Sequence, residues 1–150
     1  MTSVVKRILA PVDLAETREM DLSYAIDLAA QLGAELKLLV VIDTPATVNL
    51  IGHHGSSGRG GSFEQQLKDE VEAKLQRAVD QAAQAGVRAV GHLTFSEDVE
   101  EHILKEALLE RVDLILVRSR GRTGIMKALL GSTAGEILKA APCPVLVARA

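Results

Sequence analysis

Between Val4 and Ile42 the chain reads as an apolar run, an amphipathic stretch and a second apolar run, an arrangement that leaves few folds open. The runs, Val4–Val12 and Leu36–Ile42, are short, nearly continuous and rich in β-branched residues. Strands buried on both faces have this composition, and such strands belong to a parallel sheet covered by helices. Between them Met20, Tyr24, Ile26, Ala29 and Leu32 recur at spacings near three and four, the stripe of an amphipathic helix. Gly33 stands where that helix should stop. Strand, helix, strand is a βαβ unit, and its crossover is right-handed.

The alternation continues. Phe63–Ala85 predicts a long helix with Leu67, Val71, Leu75, Val79 and Ala82 inward, stopped by Gly86. Val87–Leu93 predicts a third strand, weakened by Gly91 and His92, and Asp98–Leu109 a helix with Ile103, Ala107 and Leu108 inward. Asp113–Val117 is the clearest strand pattern, followed by a glycine-punctuated loop, a helix over Ser132–Ala140 and a last strand, Pro144–Ala148. Five strands alternating with four helices predict an α/β fold: one open, doubly wound parallel sheet with helices on both faces. At 150 residues the chain fits one domain, 1–150. Its irregular stretch is the Gly/His-rich Gly52–Gly61, expected as a flexible surface loop within about 44–62.

Composition narrows the function. The net charge of −3 argues against a nucleic-acid or anionic-membrane partner, and Tyr24, Phe63 and Phe95 are too few aromatics for a stacking platform. Lone Cys143 makes no internal disulfide and no Cys/His spacing suits zinc, which points to a reduced setting. The N-terminal residues lack a leader pattern and no apolar run approaches a membrane span, so a cytoplasmic protein is expected. His53 and His54, adjacent on a loop without a nearby Cys or carboxylate, make a poor preformed metal site. His92 and His102 read as isolated packing or surface residues, and Glu97, Asp98, Glu100 and Glu101 as charges suited to a helix N-terminus. Cys143 between two prolines reads as a buried, inert thiol.

In an open α/β sheet a ligand binds beyond the carboxyl ends of the strands, where strand order reverses. Three stretches fall at such ends: Ala10–Asp13, Val40–Asp43 and Arg118–Ser132. The third combines Gly121, Gly124 and Gly131 with Ser132 and Thr133 at a helix start and with Arg118, Arg120, Arg122 and Lys127. Main-chain amides freed by glycine, a helix N-terminus, hydroxyls and positive charge together describe a phosphate cradle. The same residues read equally well as turns and a helix cap. The segment is not a P-loop, because no Gly-Lys-Ser/Thr follows at the required spacing.

Gly121-Arg-Thr-Gly124, Leu129-Leu-Gly-Ser132 and Ala141-Pro-Cys-Pro-Val145-Leu-Val resemble the C-terminal signature of the universal stress proteins. Ile8-Leu-Ala-Pro-Val-Asp13 and the stretch from Leu32 to Asp43 resemble that family's first βαβ unit. The resemblance implies a cytosolic homodimer, joined through the terminal strand Pro144–Ala148, that binds ATP or another adenine nucleotide, with Mg2+ as a possible companion. Its role would be that of a stress-response sensor or regulator with an unknown protein partner. Slow ATP hydrolysis is the enzymatic alternative, but the loop offers cations and no convincing carboxylate or Gln to position water, so no enzyme is expected. By the same resemblance Asp13 and the backbone of Val41 meet adenine, while Pro11 and position 118 border ribose, with Val12 beside them. Gly121, Gly131, Ser132 and Thr133 hold phosphates and Arg122 adds a contact. The family's first phosphate-motif glycine is replaced by Arg118. That side chain either fills the space beside ribose, which leaves a nucleotide-free protein acting through dimerisation and partner contacts, or swings outward to pair with phosphate.

Overall fold

Eight elements carry the fold of the computed structural model, which describes residues 4–12, 22–43, 57–118 and 139–148. They are β1 (Arg7–Val12), α1 (Ser23–Leu32), β2 (Glu35–Asp43), α2 (Ser57–Gln84), β3 (Ala89–Ser96), α3 (Val99–Leu109), β4 (Leu114–Arg118) and β5 (Val145–Ala148). The strands form one parallel sheet in the order β3-β2-β1-β4-β5. Residues 139 and 140 are helical; the rest of the helix expected over Ser132–Ala140 lies outside the described residues.

The pleat sends alternate residues of each strand to opposite faces. On β2, Leu36, Leu38, Val40 and Ile42 have no exposed surface and join Ile8, Ala10, Val12 and Leu116 under α1 and α2. Leu39 and Val41 face the other way, with Leu9, Ile115 and Val117, under Ile103 and Ala107 of α3. Helices α1 and α2 therefore share one face and α3 takes the other. Right-handed crossovers require this: the chain steps from β1 to β2 to β3 in one direction, then returns past β1 to lay down β4.

Helix α1 ends as expected. Gly33 takes a φ of 65°, and the amide of Ala34 reaches the carbonyl of Ala29 at 2.9 Å. Its buried side is Ala25, Ile26 and Ala29; Tyr24, expected inward, is 43% exposed. Helix α2 buries Val71, Leu75, Ala78 and Ala82 and starts at Ser57 rather than Phe63, its backbone running through Gly58, Gly60 and Gly61 of the expected loop. Strand β3 reaches on to Ser96, beyond the expected Leu93, and Gly91 has a packing reason. A Cβ there would stand 3.1 Å from Cβ of Leu75, so glycine lets α2 lie close on the sheet.

Asp113, expected to open β4, precedes it and works as a pin. Its Oδ2 accepts the amides of Lys6 and Arg7, each at 2.9 Å.

Candidate functional site

The strand order reverses between β1 and β4, so the crevice that doubly wound sheets use for ligands opens at the carboxyl ends of those two strands. Main-chain groups alternate sides along a strand. The carbonyl of Lys6 accepts from the amide of Glu35, next to β2, and that of Arg7 from the amide of Asp113, next to β4. Arg7, Leu9 and Pro11 thus turn their main-chain groups toward β4. Pro11 has no N–H to give. Pairing of β1 with β4 accordingly stops at Leu9↔Ile115, although β1 continues to Val12 and β4 to Arg118. On its other side β1 stays paired with β2 as far as Val12↔Val40. One imino acid therefore unzips the sheet where the topology calls for a cleft.

Pro11, Val12, Val41 and the backbone of Arg118 are brought to this end of the sheet. Val12 and Val41 are 2% and 5% exposed, with their side chains in the two opposite cores. What they can offer a ligand is main chain, the role expected for Val41. Asp13, Gly121, Arg122, Gly131, Ser132 and Thr133 lie outside the described residues, as do the glycine loop they belong to and His53 and His54.

A second constellation escaped the sequence reading. Glu106, on the inward side of α3, is 8% exposed, whereas Leu108, expected inward, is 65% exposed. Lys37 of β2 places Nζ 2.7 Å from Glu106 Oε1 and 2.9 Å from Glu110 Oε1. His92 Nδ1 stands 3.0 Å from Glu106 Oε1, and His102 Nε2 lies 3.7 Å from Oε2, beyond hydrogen-bonding reach. The two histidines, expected to be isolated, converge on one carboxylate. Burial pushes Glu106 up, but the hydrogen bonds and charges of Lys37 and His92 outweigh it and hold the carboxyl below its ordinary value. Burial likewise works to lower Lys37, and the paired carboxylates of Glu106 and Glu110 win, holding the amine above its ordinary value.

A cation on Glu106 would have to displace the Lys37 ammonium. Among the described residues no group of three or more His, Cys, Asp or Glu side chains is arranged to hold a metal. The cluster therefore reads as a polar clamp that fixes α3 to the sheet. Two signals for it were available: Lys37 interrupts an apolar strand, and Glu106 falls three residues after Ile103, on the inward stripe.

Nearby, about 200 Å³ of cleft at the amino ends of the strands is lined by Arg7, Glu35, Lys37 and Glu110, whose charges are already paired with one another. Cys143 is partly buried. Burial first, then the Asp113 carboxylate, push its thiol up against a hydrogen bond from the backbone of Ile115, so it is a poor nucleophile at neutral pH.

Comparison with known proteins bears on the family and the fold. The chain is 30% identical over 148 residues to Universal stress protein MJ0531 of Methanocaldococcus jannaschii, covering 98% of this chain and 84% of that one. Universal stress protein YxiE of Bacillus subtilis is 31% identical over 147 residues, covering 95% and 98%. The solved structure of MJ0577, from M. jannaschii, superposes with a TM-score of 0.75 at 26% identity, covering 98% of this chain and 97% of that one. The model of the Universal stress protein family matches residues 5–149. With the five-stranded parallel sheet, its reversal at β1 and β4, and these matches along almost its whole length, the chain belongs to the universal stress protein family.

Proposed function

We propose that the chain binds an adenine nucleotide, ATP foremost, in the crevice between the carboxyl ends of β1 and β4. The observation that carries this is the early end of the β1–β4 ladder at Leu9↔Ile115, which leaves the carboxyl ends of the two strands unpaired with each other at the switch point. Asp13 and the Val41 backbone take the base, Pro11 and the 118 position border the ribose, and Gly121, Arg122, Gly131, Ser132 and Thr133 take the phosphates, with Mg2+ as their companion. The choice of adenine draws support from two proteins of the same fold. One, at 18% identity and a TM-score of 0.61, was solved with cAMP; another, from Archaeoglobus fulgidus at 17% and 0.60, was solved with dAMP.

The protein is a binding module rather than an enzyme, a cytoplasmic sensor or regulator in stress response. No helix among the described residues is long and apolar enough to cross a membrane. Homodimerisation through β5 is part of this reading: β5 ends the sheet and Val147 is 43% exposed. Arg118 at the end of β4 favours a second reading, a nucleotide-free protein of the same fold working through its partners.

Thermal unfolding with and without millimolar nucleotides decides between them. Ligand at about 100 times its dissociation constant adds about 2.7 kcal/mol, a midpoint rise of several degrees. A rise with ATP and none with GTP supports the adenine reading. No rise for the wild type, together with a rise for Arg118→Gly, means the arginine closes the pocket; no rise for either protein sinks the proposal.

A further inference from the structure

From the edge strand β3 and the groove beside it, we infer a docking site for an extended, basic peptide segment of a partner protein, added to the sheet as a sixth strand. The inference does not depend on nucleotide binding, because β3 is separated from the β1–β4 crevice by β2.

Strand β3 ends the sheet, and all of it, from Ala89 to Ser96, pairs with β2 on one side. The carbonyl of Arg88 accepts the amide of Leu36, so even-numbered residues turn their main-chain groups inward to β2. Ala89, Gly91, Leu93 and Phe95 then turn theirs outward, a row of donors and acceptors for which no partner occurs among the described residues. The strand also lacks the usual protection of an edge. Its sequence, Ala-Val-Gly-His-Leu-Thr-Phe-Ser, holds no Pro, Lys, Arg, Asp or Glu, and Val90 is 60% exposed.

A groove of about 340 Å³ runs between this edge and α2, lined by Glu72, Leu75, Gln76, Val79, Gly91, His92 and Leu93. The outward amides of Gly91 and Leu93 belong to residues that line it, so one ligand strand would meet main-chain hydrogen bonds and the groove together. That is the chemistry of strand addition: the ladder supplies affinity, and pockets for alternate side chains supply selectivity. The partly exposed Val79 and Leu93 ask for an apolar side chain. Glu72, which has no ion-pair or hydrogen-bond partner among the described residues, asks for Lys or Arg. A second copy of this chain is the weaker occupant, since pairing two β3 edges about a twofold would bring two Glu72-bearing helices side by side.

The test is to pan the purified full-length protein against a displayed library of random twelve-residue peptides, then follow amide hydrogen exchange with the best synthetic binder. The expected binders alternate apolar residues and carry Lys or Arg. On binding, the amides of Gly91 and Leu93 slow markedly, while those of His92 and Thr94, already held by β2, do not change. Glu72→Lys, a change on an exposed helix position, weakens the binder about fivefold. Phe95→Pro removes one outward donor without touching the β2 ladder and weakens it further. Any of three results overturns the inference: no peptide enriched over a scrambled control, a binder that protects other amides and leaves Gly91 and Leu93 unchanged, or edge amides slow before peptide is added in a sample that sediments as a β3-joined dimer.

Discussion

The two faces of β2 are built on different principles although they share one backbone. Toward α1 and α2 the strand presents Leu36, Leu38, Val40 and Ile42, all fully buried among aliphatic side chains. Toward α3 it presents Lys37 before Leu39 and Val41, answered by Glu106 of the helix and by Glu110 at its C-cap. The first face gains stability from burial alone, in proportion to the surface removed from water. The second gives up part of that gain: two charges must be desolvated, and only good geometry returns the cost. What the clamp adds is direction, because Lys37 can meet both carboxylates in one register of α3 only.

Truncation should separate the faces most clearly. Leu38→Ala leaves a cavity among close-packed aliphatics and should cost about 3 kcal/mol, read by chemical denaturation. The loss should not vary between pH 4 and 8, because the described residues in the core around Leu38 are aliphatic. A loss below about 1 kcal/mol would mean that the face is loosely packed and the contrast is false.

Glu106→Ala should cost less, about 2 kcal/mol, because it strands Lys37 with Glu110 alone. Its signature is in the pH profile. The folded carboxyl of Glu106 lies below its ordinary 4.5, so its contribution is whole above that value and is lost as pH falls through the folded value. Lys37 is raised above its ordinary 10.5, so its contribution is whole below that value and is lost as pH rises through the folded one. The wild type should therefore lose an acid increment that Glu106→Ala lacks. Superimposable profiles for the two proteins from pH 3 to 7 would remove the clamp from the account. The smallest effect belongs to the exit of α3. Arg111 is held at φ 52° while the amide of Val112 bonds the carbonyl of Ala107. Arg111→Gly should gain about 0.5–1 kcal/mol; a loss would show that the arginine side chain makes a contact worth more than the strain.

The aliphatic face could be read from sequence because period-2 and period-3.6 patterns of Val, Ile and Leu report directly on burial. Strand count and the buried stripe of α2 through Val71, Leu75 and Ala82 follow from it, and glycine marks the stops at Gly33 and Gly86. The clamp was not read, because a Lys in a strand and a Glu in a helix each look solvated until the fold sets them face to face. Leu108 was misjudged for the same reason: helical spacing allows Glu106 or Leu108 inward, and only Lys37 decides. Pro11, Val12 and Val41 lie near the carboxyl ends of β1 and β2, as the apolar runs imply. What opens it was missed, since the meaning of Pro11 depends on which neighbour its nitrogen faces, and that is a property of strand order.

The Asp113 pin carries a consequence for how the molecule is made. It joins the chain's beginning to a point 107 residues later, across the whole β1–β2–β3 half. During synthesis that half can assemble as soon as β3 has emerged, but β1 keeps one bare flank until Asp113 and β4 follow. The nascent chain therefore owns one wall of the crevice long before the other. The proposed nucleotide site would be complete only once β4 has been made.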